Sequence, residues 1–337
     1  MNSLLTSASG SAGNLFFVVS LWPQLAGSKR IRGRQSRNRD APNLEEHEMD
    51  KRFERCMALS VEQLDLELSP SRSAKDAGGA LGRMVRQTKE ALCDPGLDVR
   101  QDISYGNRVR QKLDVFRPKA AGTSALPCLV FIHGGFWQEG DKSVSGFAAQ
   151  TFCTAGWAYV SVGYSLTPEV SLTELTQEVH SAVAYVHENA KALGIDPQRI
   201  VLAGHSAGGH LAATVVADSL GCGTNAYIRG AVLISGVFEL GPIAKSYVND
   251  LARITEEEIG RLSPLRLLPQ TQAPVHVLVG ADEPTAFQVQ STVLGDLWTP
   301  HVKSLTQHVA PGRDHFDILD ELNDPTSETV QRVLSWG

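Results

Sequence analysis

Arg199–Val216 reads RIVLAGHSAGGHLAATVV. The first five residues form a buried-strand pattern, apolar and β-branched. From Gly208 to about Leu220 the pattern is that of a helix. Between them lies Gly204-His205-Ser206-Ala207-Gly208, a G-x-S-x-G pentapeptide. Glycines on either side of the serine permit a sharp strand-to-helix turn that a β-carbon would obstruct. Such a turn leaves the Ser206 hydroxyl exposed above the sheet, with the amino end of the following helix aimed at the same point. That context makes Ser206 a candidate nucleophile and points to an α/β fold.

Outward from this stretch the same architecture continues. Buried-strand runs are expected at Pro127–Ile132, Ala158–Tyr164, Gly230–Gly236 and Val275–Val279, with weaker strands at Lys112–Phe116 and Ser304–Val309. Near-continuous apolar strands of this kind belong in a sheet covered on both faces. Leu172, Leu175, Val179, Val183 and Val186 recur at helical spacing, with Gly194 and Pro197 closing the segment. The alternation predicts a doubly wound α/β domain. Its central sheet is mostly parallel, helices cover both faces, and the first strands run antiparallel. Residues 241–272 exceed an ordinary connection. Thr255–Glu258 reads there as a capping box, and both a cap over the site and a passive surface excursion fit the length.

Two further loops carry chemistry. His133-Gly134-Gly135-Phe136-Trp137 follows a strand directly, and paired glycines let backbone N–H groups approach a developing oxyanion. Gly134, Gly135 and Ala207 are the candidate donors, and His133 reads as a residue that orients the loop. Among the histidines after the serine, His210 fits packing and His276 lies inside a strand. His301 and His308 flank or occupy another strand. His315 stands in PGRDHF (311–316), a loop beyond the last strand, and is the candidate base. The strand at 275–279 ends in Gly280-Ala281-Asp282-Glu283-Pro284. Two adjacent carboxylates compete for the acid, and the spacing after Gly280 favours Glu283 over Asp282.

The chain of 337 residues is 42% hydrophobic and 20% charged, ordinary globular proportions, with a formal charge of −6 that favours neither nucleic acid nor an anionic membrane. Five scattered cysteines form no CxxC pair, so no zinc site or disulfide framework is indicated, and a reducing cytoplasmic setting is expected. Residues 1–60 hold nine Lys/Arg against six Asp/Glu, whereas the rest hold 22 against 31. This break separates a basic N-terminal tail (1–60) from a catalytic domain (61–337). LFFVVSLW (15–22) is too short to span a bilayer, which needs about 20 apolar residues. Its basic cluster follows the apolar run, the reverse of a signal peptide. A targeting or anchor segment, a flexible arm, or sequence upstream of the mature protein are the readings left open.

Having these residues in view, the sequence resembles kynurenine formamidases (arylformamidases), a branch of the esterase/lipase α/β-hydrolases, over roughly residues 66–335. The likeness rests on LSPSR (68–72), HGGFW (133–137), GYSLTPE (163–169), GHSAGGHLAA (204–213) and LISGVFEL (233–240). DHFDIL (314–319) and a sparser pattern through 249–264 and 280–291 add to it. The acid loop departs from the family in holding both Asp282 and Glu283 where an aspartate is usual. The resemblance implies hydrolysis of N-formyl-L-kynurenine to L-kynurenine and formate in tryptophan breakdown. Ser206 would serve as nucleophile and His315 as base, with no metal and no organic cofactor. The partner it implies is a small aromatic formamide, with no nucleic acid and no membrane, and a homodimer stays open. Phe136, Trp137, Tyr164 and Phe287 are candidate walls for the aromatic leaving group. A broad carboxylesterase acting on short acyl esters would use the same triad and is the alternative. Removal of residues 1–48 is expected to leave activity intact; a soluble but inactive truncated protein would overturn that reading of the tail.

Overall fold

Cys128, Val130 and Ile132 point to one face of the sheet and Leu129 and Phe131 to the other, and all five are buried. A strand buried on both faces needs helices on both faces, and that is the arrangement found. The computed structural model describes Lys51, Glu54 and Ala58–Gly337, all within one compact unit. The expectations for the basic N-terminal stretch lie outside the described residues, apart from its last few positions.

Eight strands form the sheet: β1 (Leu97–Ser104), β2 (Lys112–Pro118), β3 (Leu126–Ile132), β4 (Ala158–Val162), β5 (Ile195–His205), β6 (Gly230–Ile234), β7 (Val275–Gly280) and β8 (Leu305–Ala310). Their spatial order is β1-β2-β4-β3-β5-β6-β7-β8. The β1–β2 and β2–β4 pairs are antiparallel and every other pair is parallel. On one face lie α4 (Leu172–Glu188), α5 (Ala207–Val216) and α7 (Thr285–Trp298). On the other, α2 (Ala77–Cys93), α3 (Ala149–Thr154) and α8 (Glu328–Ser335) pack against Phe116, Phe131, Tyr159 and Val232. The chain enters through a short helix α1 (Val61–Glu67). No helix among the described residues is long and apolar enough to cross a membrane.

The expected strands occur with ends shifted by a few residues. β5 is longer than expected and includes Pro197, so Gly194 alone closes the preceding helical segment, in a left-handed conformation with φ 68°. The outermost strand, β1, has no counterpart among the expected ones. Its sequence LDVRQDIS buries only Leu97 fully, and its pairing shifts register between Arg100 and Ile103, where Asp102 has φ 58°. An edge strand with one wet face lacks the apolar run that marks the inner strands.

Residues 241–272 are fastened on several sides. Arg266 makes a bidentate pair with Glu239 (2.7 and 2.9 Å), and Thr173, on the first turn of α4, bonds through its N–H and hydroxyl to Glu258 (2.9 Å each). The same Glu258 forms the expected capping box with Thr255 at the start of helix α6 (Glu256–Leu262), so one carboxylate caps two helices. His210 donates to the Leu262 carbonyl (2.8 Å), and Gln138 to that of Val248 (2.6 Å). Ile243, Val248, Ile259 and Leu262 are buried in the core.

Arg266→Met would leave the buried Glu239 carboxylate without its cation, and a loss of about 1–2 kcal/mol in urea unfolding is expected; an unchanged midpoint would show the segment to be held otherwise. Burial pushes the core histidines His180 and His276 down from their ordinary range to about 4. Between about pH 6.5 and 4 the unfolded chain therefore binds protons that the folded chain refuses, so stability is complete above this window and declines through it on acidification. Unfolding free energies at pH 7, 6 and 5 should fall in that order.

Candidate active site

The turn at Ser206 closes because two positions lack side chains. A β-carbon on Gly204 would lie 2.0 Å from the Gly208 carbonyl oxygen, and one on Gly208 would lie 2.1 Å from that of Ile132. The first turn of α5 is thereby drawn against the ends of β3 and β5. Ser206 takes φ 56° and ψ −120°, and its N–H donates to the Ile234 carbonyl (2.9 Å). A non-glycine residue in that region costs about 1–3 kcal/mol, which the surrounding packing must offset.

Beside it, a β-carbon on Gly134 would come 3.0 Å from Cβ of Ser206, so this loop runs directly against the serine. Gly135 has φ 108°, and a side chain there would collide with the Glu139 carbonyl at 2.3 Å. Phe136 and Trp137 are also left-handed, at φ 45° and 61°. Polar contacts hold the loop in this shape: Gln138 and Glu139 N–H groups donate to Gly135 O, Thr167 N–H to Trp137 O (2.8 Å), and the Tyr164 hydroxyl to His133 O (2.7 Å). Among the described residues, no hydrogen bond takes the N–H of Gly134, Gly135 or Ala207. Those three donors stay available at the edge where Ser206 stands.

His133 donates from Nδ1 to Gly134 O (2.8 Å) and stacks on Tyr164 with ring centroids 4.3 Å apart. Burial pushes its pKa down to about 4, so it remains neutral and acts on the loop's shape. Trp137 and Tyr164, expected as substrate walls, are fully buried instead. Trp137 packs edge-on against His210 (5.1 Å), and Tyr164 lies behind His133. Both support the loop from below. Phe136 is half-buried on it. Phe287 is fully buried too, its ring 4.4 Å from that of His315.

At the carboxyl ends of β7 and β8 the two remaining candidates meet. His315 Nδ1 lies 2.7 Å from Glu283 Oε2. The other oxygen of Glu283 accepts from the Ser235 hydroxyl (2.5 Å) and the Gly280 N–H (2.7 Å). A buried carboxylate with three donors is held in one orientation. Asp282, the competing acid, turns away: its side chain is 42% exposed and pairs with Lys75 Nζ at 2.6 Å. Of the two acidic candidates, only Glu283 bonds to the imidazole.

His205, the residue before the serine, reaches across to this loop. Its Nε2 donates to the His315 carbonyl (2.8 Å), and burial together with the neighbouring His315 holds its pKa well below the ordinary range. The serine and the imidazole are thus joined through one neutral side chain. Among the described residues no hydrogen bond links Ser206 itself to His315; such contacts commonly close only with substrate in place. His276 bonds to Thr306 and His308 to Glu328, both away from the serine. No three His, Cys, Asp or Glu side chains converge in a metal-ligating cluster among the described residues.

Ser235, His205 and Asp314 serve the site without having been singled out by motif. Ser235 directly follows β6, the strand between β5, which leads to Ser206, and β7, which leads to Glu283, and has φ 47°. Its mark is the strand order, which sets β6 between β5 and β7. Asp314 is buried and accepts from the N–H groups of Phe316 (2.9 Å), Asp317 (3.0 Å) and Lys75 (2.8 Å).

The arrangement is a serine on a strained turn, free N–H donors beside it, and an imidazole bonded to a buried carboxylate. Its relatives agree with that chemistry. Residues 113–220 match the family model described as BD-FAE. A crystal structure described as that of a thioesterase from Silicibacter sp. TM1040 is similar at a TM-score of 0.71 and 30% identity, covering 81% of this chain and 99% of that one. The kynurenine formamidase of Drosophila melanogaster is 26% identical, over 75% of this chain and 87% of its own. That of Danio rerio is 31% identical, over 79% of this chain and 93% of its own. At that identity over most of both chains, the chain belongs to the kynurenine formamidase family of α/β-hydrolases.

Proposed function

We propose that the protein hydrolyses N-formyl-L-kynurenine to L-kynurenine and formate, a step of tryptophan breakdown. The observation that carries the substrate is the kinship with kynurenine formamidases along nearly their whole length. The chemistry follows from the residues. His315, held by Glu283, accepts the Ser206 hydroxyl proton as Oγ attacks the formyl carbon. The carbonyl oxygen becomes an alkoxide, which the N–H groups of Gly134, Gly135 and Ala207 receive. The imidazolium then protonates the aryl nitrogen, the C–N bond breaks, and L-kynurenine departs. A formyl ester remains on Ser206. Water, deprotonated by His315, attacks it and releases formate, and the proton returns to the serine. Glu283 stays ionised throughout and stabilises the imidazolium.

A formyl group needs little room at the serine, and Phe136 on the neighbouring loop is the aromatic contact assigned to the leaving group. Cys93, Cys128, Cys153 and Cys222 are all free thiols, which supports a reducing, cytoplasmic setting.

The test compares kcat/KM for N-formyl-L-kynurenine with that for a short aryl ester. Preference for the formamide is expected; a large preference for the ester would replace the reading with a carboxylesterase while retaining the triad. Ser206→Ala should abolish both activities. Glu283→Gln should lower kcat by about 10²–10⁴, and Asp282→Asn by less than about tenfold. Equal losses from the two amides would remove Glu283 from its role.

A further inference from the structure

The acid and base loops are held together from outside by a residue of the N-terminal segment. Lys75 lies just before helix α2, between the LSPSR stretch and the Asp76 cap. Its backbone N–H donates to Asp314 Oδ2 (2.8 Å), one residue from the base. Its ammonium donates to the Gly312 carbonyl (2.8 Å) and pairs with Asp282 Oδ2 (2.6 Å), one residue from the acid. A single side chain therefore touches both loops, at positions adjacent to or within three residues of His315 and Glu283.

The segment carrying Lys75 is itself fixed. Asp65 accepts from the Tyr247 N–H (2.8 Å), Leu68 O from the Tyr247 hydroxyl (3.0 Å), and Glu67 from the Ala286 N–H at the start of α7 (2.9 Å). It can therefore act as a brace.

The charges show why a cation is needed there. Asp282, Asp314 and Asp317 on the two loops all act on the Lys75 ammonium, and Glu283, next to Asp282, bonds to the imidazole. The neighbouring Arg313 is engaged by Asp320 (3.3 Å) and Glu321 (3.0 Å). Without the ammonium, Asp282 would be an unpaired carboxylate next to Glu283, and mutual repulsion would loosen the base loop.

We propose that Lys75 is a positioning residue for the reaction: its ammonium clamps the His315 loop to the Glu283 loop and keeps Asp282 turned out of the triad. This rests on the Ser206–His315–Glu283 reading, which Ser206→Ala tests separately. Lys75 acts through the base and the acid, so its loss falls on turnover.

Lys75→Met preserves the backbone N–H to Asp314 and removes only the ammonium. On both substrates its kcat should fall by about tenfold with KM changed less than about twofold, since small displacements of catalytic groups act on rate. Lys75→Arg should restore kcat to within about threefold of wild type, because a guanidinium can still pair with Asp282. Asp282→Asn removes the same pair from the other side without emptying the position. Its kcat should fall in the same direction, and Lys75→Met/Asp282→Asn should be no worse than Lys75→Met alone. The proposal fails if Lys75→Met retains wild-type kcat, if its loss lies in KM, if arginine gives no rescue, or if the double variant shows additive losses. Ser206→Ala retaining activity would instead overturn the triad, whatever Lys75 does.

Discussion

The contact on which the site depends is that of the first turn of α5 with the sheet. Gly208 sits where a β-carbon would nearly touch the Ile132 carbonyl, and Gly204 where one would meet Gly208 itself. This approach brings the ends of β3 and β5 close enough for the Gly134 loop to run along Ser206. It also orients the free N–H of Ala207 toward the edge that the loop donors share. A methyl at either glycine would separate helix and strand, and the loop N–H groups and Ser206 would part together.

Strain gathers at that same edge. Ser206, Ser235, Phe136 and Trp137 all have positive φ without being glycine. Each needs its neighbours to hold it, and the holding groups are visible: Ile234 O on the Ser206 N–H, Leu278 O on that of Ser235, Thr167 on Trp137 O. The buried histidines serve the same end. His133 shapes the loop, His205 links serine and base, and His210 ties α5 to the 241–272 segment. All three are kept neutral by burial, so they add no charge to compete with the imidazolium of the reaction.

Much of this was legible in the sequence, and the limits have physical causes. Inner strands announce themselves because both faces are buried; β1 does not, because LDVRQDIS has one wet face and a register shift. The serine, the glycine pair and His315 could be located because each occupies a loop directly after a strand. The acid could be narrowed to two residues by counting from Gly280, but the orientation of two adjacent side chains depends on what each meets. Asp282 meets Lys75, more than 200 positions away in the chain, and no local pattern contains that contact. Trp137 and Tyr164 misled for a related reason. Aromatic type next to a glycine-rich loop is readable, but the direction of each ring is set by long-range packing: Trp137, at φ 61°, turns in against His210, and Tyr164 turns in to stack on His133.

The pairing of His315 with a glutamate follows from the same geometry. Its extra methylene lets a residue three positions beyond Gly280 reach back, so that one oxygen accepts the Gly280 N–H while the other meets His315. The Ser235 hydroxyl then fills the remaining direction and stops the longer side chain from rotating away. A shorter aspartate one position earlier would have to face inward to do this work, and there it would forgo Lys75. The two carboxylates therefore divide the labour. Glu283 holds the imidazole from inside, and Asp282 anchors its loop from outside through the Lys75 ammonium, which also meets the Gly312 carbonyl on the His315 loop.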